Sequence, residues 1–143
     1  MQKVLIFILL AILIPSFGQA KESDILKGEC ASSYDSTIHK EIYTLVDSMP
    51  KYPGGFKALL SFFSKNFIYP KDQEEFQATI FLTFIIEEDG KLSNISTAKN
   101  LDEAIWSRVD REAIRVFHLM PLWTPGQCKG KNVAVKLTLP IKF

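Results

Sequence analysis

Met120-Pro121-Leu122-Trp123-Thr124-Pro125-Gly126, with the run from Asn132 to Phe143 that follows it, is the part of the chain whose reading decides the fold. The first seven residues are a turn. Two prolines fix φ, Gly126 permits a sharp reversal, and Trp123 is large enough to pin the turn onto a core. In the later run Val133, Val135, Leu137, Leu139, Ile141 and Phe143 alternate with Ala134, Lys136, Thr138, Pro140 and Lys142. A period of two sends successive side chains to opposite faces, so this is a half-buried strand with one apolar face. Pro140 has no N–H for a ladder bond, and proline is largely confined to edge strands, strand starts and bulges. The expectation is that the chain ends on a sheet edge that is open to an added strand.

Upstream, Ile80, Leu82, Phe84 and Ile86 alternate with Thr79, Phe81, Thr83 and Ile85, and the run ends in Glu87-Glu88-Asp89-Gly90. Asp-Gly after such a run signals a tight hairpin turn, with Lys91 to Thr97 as the more polar return strand. The period changes on either side of this hairpin. Phe56, Leu59, Leu60, Phe63 and Phe67 share one face of a helix that must stop before Tyr69-Pro70. A second helix from about 102 to 119 aligns Ile105, Val109, Ala113, Val116, Phe117 and Met120, with Asp102 as its N-cap. Ile42-Tyr43-Thr44-Leu45-Val46 suggests a further short strand, ended by Met49-Pro50. Two helices and an antiparallel hairpin predict an α+β fold with both helices packed on one face of a small, mainly antiparallel sheet. Phe81 and Ile85 imply that the other face is not wholly polar. It is covered by the first strand or by the segment before it, or it is a contact surface.

The 143 residues suffice for one domain with a real core. Lys3, the apolar run Val4 to Ile14 and the small residues Gly18-Gln19-Ala20 read as a signal peptide over 1–20. The run of eleven is shorter than the roughly 17 to 25 residues that span a bilayer. Residues 21–41 are polar and unpatterned and read as a flexible arm, which leaves 42–143 as the folded domain. Loss of residues 1–20 removes Lys3 and no acidic residue, so the formal charge of +1 falls to zero. A neutral chain without a basic stripe argues against nucleic acid. Cys30 and Cys128 are compatible with a disulfide in an oxidising compartment, or with two free thiols.

The residues that bear chemistry are sparse. His39 and His118 lie far apart in sequence, without a cysteine or carboxylate at metal-ligand spacing. Glu74-Glu75 and Glu87-Glu88-Asp89 read as solvated loop charge. Pro53-Gly54-Gly55 opens a helix but lacks the lysine and hydroxyl of a phosphate loop. The expectation is a protein that is not an enzyme, with no metal, no cofactor and no small-molecule substrate.

The Pro/Gly/aromatic clusters say more. Met49-Pro50, Tyr52-Pro53-Gly54-Gly55, Ala58-Leu59, Asn66, Tyr69-Pro70, Asp89-Gly90, Glu112-Ala113, Met120-Pro121, Trp123, Pro125-Gly126 and Pro140-Ile141-Lys142-Phe143 stand in one order across 42–143. In that order they resemble the C-terminal domain of the TonB energy-transducer family, in the version with an extra N-terminal motif. The segment before the hairpin is shorter than the common form, and Ala78 and Ile68 replace a usual glycine and a usual polar residue. The resemblance implies a periplasmic domain that captures an extended segment, the TonB box of an outer-membrane receptor, by adding it as a strand. It places the peptide contacts on Asn132, Val133, Ala134, Val135, Lys136, Leu137, Thr138, Leu139, Pro140 and Ile141, with Tyr69 and Pro70 as a flank. The same edge permits a homodimer. Two further readings are a short transducer held by an uncleaved signal anchor, and a periplasmic enzyme or inhibitor that reuses the fold.

Cleavage after Ala20 is expected to give a product that begins at Lys21 and fractionates with the periplasm. N-terminal sequencing checks it, and an intact 1–20 segment in the inner-membrane fraction would favour the anchored transducer.

Overall fold

The computed structural model describes residues 29–71, 79–97 and 103–142, with side chains from 108 onward in the last of these. The signal segment 1–20, the acidic pair Glu74-Glu75, Ala78, the cap Asp102 and the side chains of Ile105 and Phe143 lie outside the described residues. The elements are β1 (Ala31–Asp35), β2 (Lys40–Leu45), α1 (Gly55–Asn66), β3 (Thr79–Ile86), β4 (Leu92–Thr97), α2 (Glu103–His118), β5 (Gly126–Cys128), β6 (Lys131–Val133) and β7 (Val135–Lys142). They make the expected α+β fold. Five strands in the order β1-β2-β7-β3-β4 form a mainly antiparallel sheet, and β5 and β6 form a separate small hairpin.

The alternation read in β3 and β7 is what joins them. They pair antiparallel from Thr79↔Lys142 through Phe81↔Pro140 to Ile86↔Val135 without a register break. This register puts Ile80, Leu82, Phe84 and Ile86 on the same face as Leu137, Leu139 and Ile141, and both helices cover that face. Leu59 and Phe63 come from α1, and Val109, Ala113, Val116 and Phe117 from α2. Burying each large apolar side chain is worth about 1.5–3 kcal/mol, so this layer dominates the stability of the fold. Phe56 and Leu60 depart from the expected helix face, for they remain 65% and 51% exposed.

The turn clusters act as expected on the core. Tyr52 and Trp123 are buried, with ring centroids 5.4 Å apart edge to face, and Trp123 also meets Phe84 at 5.7 Å. Met49, in contrast, is exposed. The Trp123 N–H donates to the Gly90 carbonyl at 2.9 Å. Gly90 has φ +85, and a Cβ there would lie 2.1 Å from the Trp123 carbonyl oxygen. Only glycine satisfies both the turn and this close approach. The hairpin turn is thereby tied to the loop that feeds the last strand.

Two expectations need correction. The last strand is not the terminal strand of the sheet, because β2 runs parallel to it on the side away from β3. The contact is brief: Tyr43↔Val135 is the pair that joins them, with Tyr43 N–H donating to the Ala134 carbonyl at 2.9 Å. Beyond it the chain turns aside so that Ser48 and Lys51 can bridge to Gln127 and Thr124. The second correction concerns the arm. Ala31–Asp35 pairs antiparallel with β2, so this part of 21–41 is a strand rather than a flexible tether. Its side chains are mostly exposed, and backbone pairing leaves no hydrophobic period for a sequence to display. The second sheet face is covered in part, where Ile42 packs with Ile85 and Ala134.

The two cysteines are joined. The Cys30–Cys128 disulfide, with a sequence separation of 98, ties the start of β1 to β5. Lys40 adds an ion pair to Glu87 and Glu88 at 2.5 and 2.7 Å, across to the β3–β4 turn.

Trp123→Ala is expected to destabilise the fold by about 3–5 kcal/mol, as truncation of a buried aromatic does, and urea unfolding measures it. Cys30→Ser with Cys128→Ser is expected to cost about 5 kcal/mol by the chain-entropy estimate, read from the same experiment.

Candidate functional site: the free side of the last strand

Opposed residues of an antiparallel pair alternate between exchanging both backbone bonds and turning both groups away from the partner. Pro140, opposite Phe81, has no N–H to exchange, so it belongs to the second set. By alternation Thr138 and Lys136 belong to it too. Ala134 shares that parity, and its carbonyl does point away from β3, toward Tyr43 of β2. Lys136, Thr138 and Pro140 therefore aim their backbone groups at the β2 side, while Leu137, Leu139 and Ile141 bond toward β3. From Leu137 onward no described residue pairs with β7 on that outward side. The result is a short receptive edge on a strand that is otherwise internal.

The sequence-predicted residues divide along this line. Leu137 to Ile141 line the half of β7 that β2 leaves uncovered, and Lys136 flanks the Tyr43↔Val135 bridge at its boundary. Ala134 and Val135 are fully buried and already engaged with β2. Asn132 and Val133 are in β6, which pairs with β5, and the Asn132 amide donates to the Glu88 carbonyl at 3.2 Å. They support the strand but are not on its free side. Tyr69 and Pro70 follow α1, where the Phe67 ring meets that of Tyr69 at 6.3 Å. Their path is set from α2: Glu112 accepts the Ile68 N–H at 2.8 Å, and Arg115 donates to the Asn66 carbonyl at 2.7 Å. The Arg115 guanidinium beside Glu112, helped by that N–H, holds the Glu112 carboxyl below its ordinary range.

Side chains give the free edge two distinct faces. Lys136, Thr138, Pro140 and Lys142 are exposed on one, where the Thr83 and Thr138 hydroxyls lie 3.0 Å apart and Phe81 is 49% exposed. On the other, a groove of about 410 Å³ runs between α1 and the end of β7, lined by Phe56, Leu60, Phe63 and Phe67 opposite Leu139 and Ile141. Sequence reasoning missed this groove. The helical spacing that marked Phe56 and Leu60 as apolar does not say whether the sheet extends beneath them.

The β1–β2 hairpin stops the receptive edge at its near end. Hydrogen bonds donated by Lys40 to Glu87 and then Glu88 raise its pKa above the ordinary 10.5. Burial pushes the Glu88 carboxyl up, but its bonds to Lys40 and the backbone outweigh this and leave it below its ordinary range. The pair thus stays ionised around neutral pH and holds the hairpin to the β3–β4 turn. His39 sits in the β1–β2 turn and His118 ends α2. Among the described residues, Cys30, Asp47 and Cys128 cluster at metal-binding spacing, but the two sulfurs are bonded to each other and Asp47 accepts the Lys129 N–H at 2.7 Å. Among the described residues no charged side chain is buried, the buried Trp123 indole N–H finds no acceptor, and no helix is long and apolar enough to cross a membrane.

The family model described as the C-terminal of the Gram-negative bacterial TonB protein matches residues 65–143, more than half of the chain. The match begins at the end of α1, so β1, β2 and most of α1 lie outside it. No curated protein and no solved structure matches the chain.

Proposed function

The chain belongs to the TonB C-terminal family, and on that premise we propose that it is an exported module that captures the TonB box of an outer-membrane receptor as an added strand beside Leu137 to Ile141. The family is a transport-associated, non-enzymatic domain of the bacterial envelope that works with outer-membrane receptors. What supports the finer reading is the one-sided pairing of β7. Its inward groups are held by β3 along the whole strand, and among the described residues its outward groups are covered only at the Tyr43↔Val135 pair.

An extended peptide laid on this edge gains main-chain hydrogen bonds at Thr138 and its same-parity neighbours without disturbing the core. Such bonds are independent of side-chain identity, which suits one module to several receptors. A signal peptide cleaved after Ala20 would deliver the module to the periplasm as adaptor or competitor, with Tyr69 and Pro70 flanking the bound segment.

Proline substitution separates the two sides of the strand. Thr138→Pro removes an outward N–H and is expected to leave the melt intact while weakening a receptor-box peptide by about tenfold, measured by calorimetric titration. Leu137→Pro removes an inward ladder bond opposite Phe84 and is expected to abolish the cooperative melt. Equal melting of the two variants, or full peptide binding by Thr138→Pro, would refute this edge.

A further inference from the structure

Strand addition explains where a segment binds but not which segment. The free edge of β7 has unlike faces, and an added strand continues both, because its alternate side chains fall on the two sides of the extended sheet. On the helical side they would meet the groove between α1 and β7. Phe56 and Leu60 form its outer wall and are 65% and 51% exposed, although the remaining apolar face of α1 is packed into the core. On the opposite side they would meet the exposed Lys136 and Lys142, which stand two residues to either side of the Thr138–Pro140 pair. Lys136 and Lys142 add positive charge to that face, and among its described strand neighbours Thr79, Phe81, Thr83, Thr138 and Pro140 none is acidic.

We propose that this groove is the selectivity element of the edge. It accepts an extended segment of a partner protein in which apolar side chains alternate with acidic ones, the apolar set filling the space under α1 and the acidic set facing the two lysines. This rests on the reading of β7 as a strand-capturing edge. The occupant follows from continuity with that edge, from the charge of the polar face, and from a volume within the range of pockets that bury several apolar groups. Phe56, Leu59, Leu60, Phe63 and Ser64 all precede residue 65, where the family match begins. The groove thus joins a helical wall that mostly precedes the matched residues to a strand wall that lies within them.

The test uses the full mature chain and a fluorescein-labelled seven-residue peptide alternating glutamate and valine, followed by anisotropy. A peptide of the same composition with the valines in one block, and one with lysine in place of glutamate, serve as controls. The alternating acidic peptide is expected to bind at least about tenfold more tightly than either control, and the margin over the lysine peptide should shrink in high salt. Leu60→Glu is expected to weaken the alternating peptide by about tenfold or more without changing the melting midpoint. Phe56→Ser, at the most exposed wall position, makes the same test should Leu60→Glu disturb the fold. If both variants bind like the parent while Thr138→Pro abolishes binding, the groove has no selective role and strand capture stands. If the alternating peptide fails while a receptor-box peptide binds, the proposed chemistry is wrong. If neither binds, or Thr138→Pro changes nothing, strand capture itself falls. A dimer that competes with the peptide and is lost in Leu60→Glu would assign the groove to a second copy of the chain.

Discussion

The pairing of β3 with β7 is the constraint from which the rest of the architecture follows. Eight successive residue pairs hold two strands that are some fifty residues apart in sequence. A slip of one residue would turn every apolar side chain of β7 to the polar face, so the shared hydrophobic alternation fixes the register strongly. With the register set, Phe84 and Leu137 lie together under Phe117, and Phe81 faces Pro140 where no bond need be exchanged. The core layer and the polarity of the open edge are thus two results of one alignment.

The parts of the fold that depend on side-chain pattern were legible before any coordinates. The β3 and β7 alternations, the Asp89-Gly90 turn and the buried stripe of α2 all bury residues at the spacing that marks them. What escaped was built from backbone. β1 is a strand whose residues are nearly all exposed, and the three-residue strands β5 and β6 are too short to show a period. The same blindness placed β7 at the sheet edge. Pro140 correctly marked a side without an internal partner along much of β7, but that Tyr43, in a strand the sequence did show, pairs with Val135 is decided by main-chain groups, and the pattern of either strand does not name its partner. The candidate site was legible in its backbone half and illegible in its groove, because the fate of Phe56 and Leu60 depends on what lies beneath the helix.

The segments that precede the matched residues bear on β7 in two different ways. The β1–β2 hairpin extends the sheet beside β7 while α1 lies over one of its faces, and they meet opposite ends of the strand, one contacting Ala134 and Val135 and the other Leu139 to Lys142. Each therefore acts on a different part of the strand. The hairpin limits how many residues of β7 remain available, and the helix changes the surface that an arriving side chain meets.

The disulfide has a mechanical meaning as well. A pull on the chain ahead of Cys30 has a covalent path through the sulfurs to Cys128, and from there only the β5–β6 turn and β6 intervene before β7. Everything between the two cysteines, including α1, β3, β4 and α2, lies inside a closed loop that tension along that path does not stretch. Load would then reach β7 through β6, without first passing along the backbone of those elements.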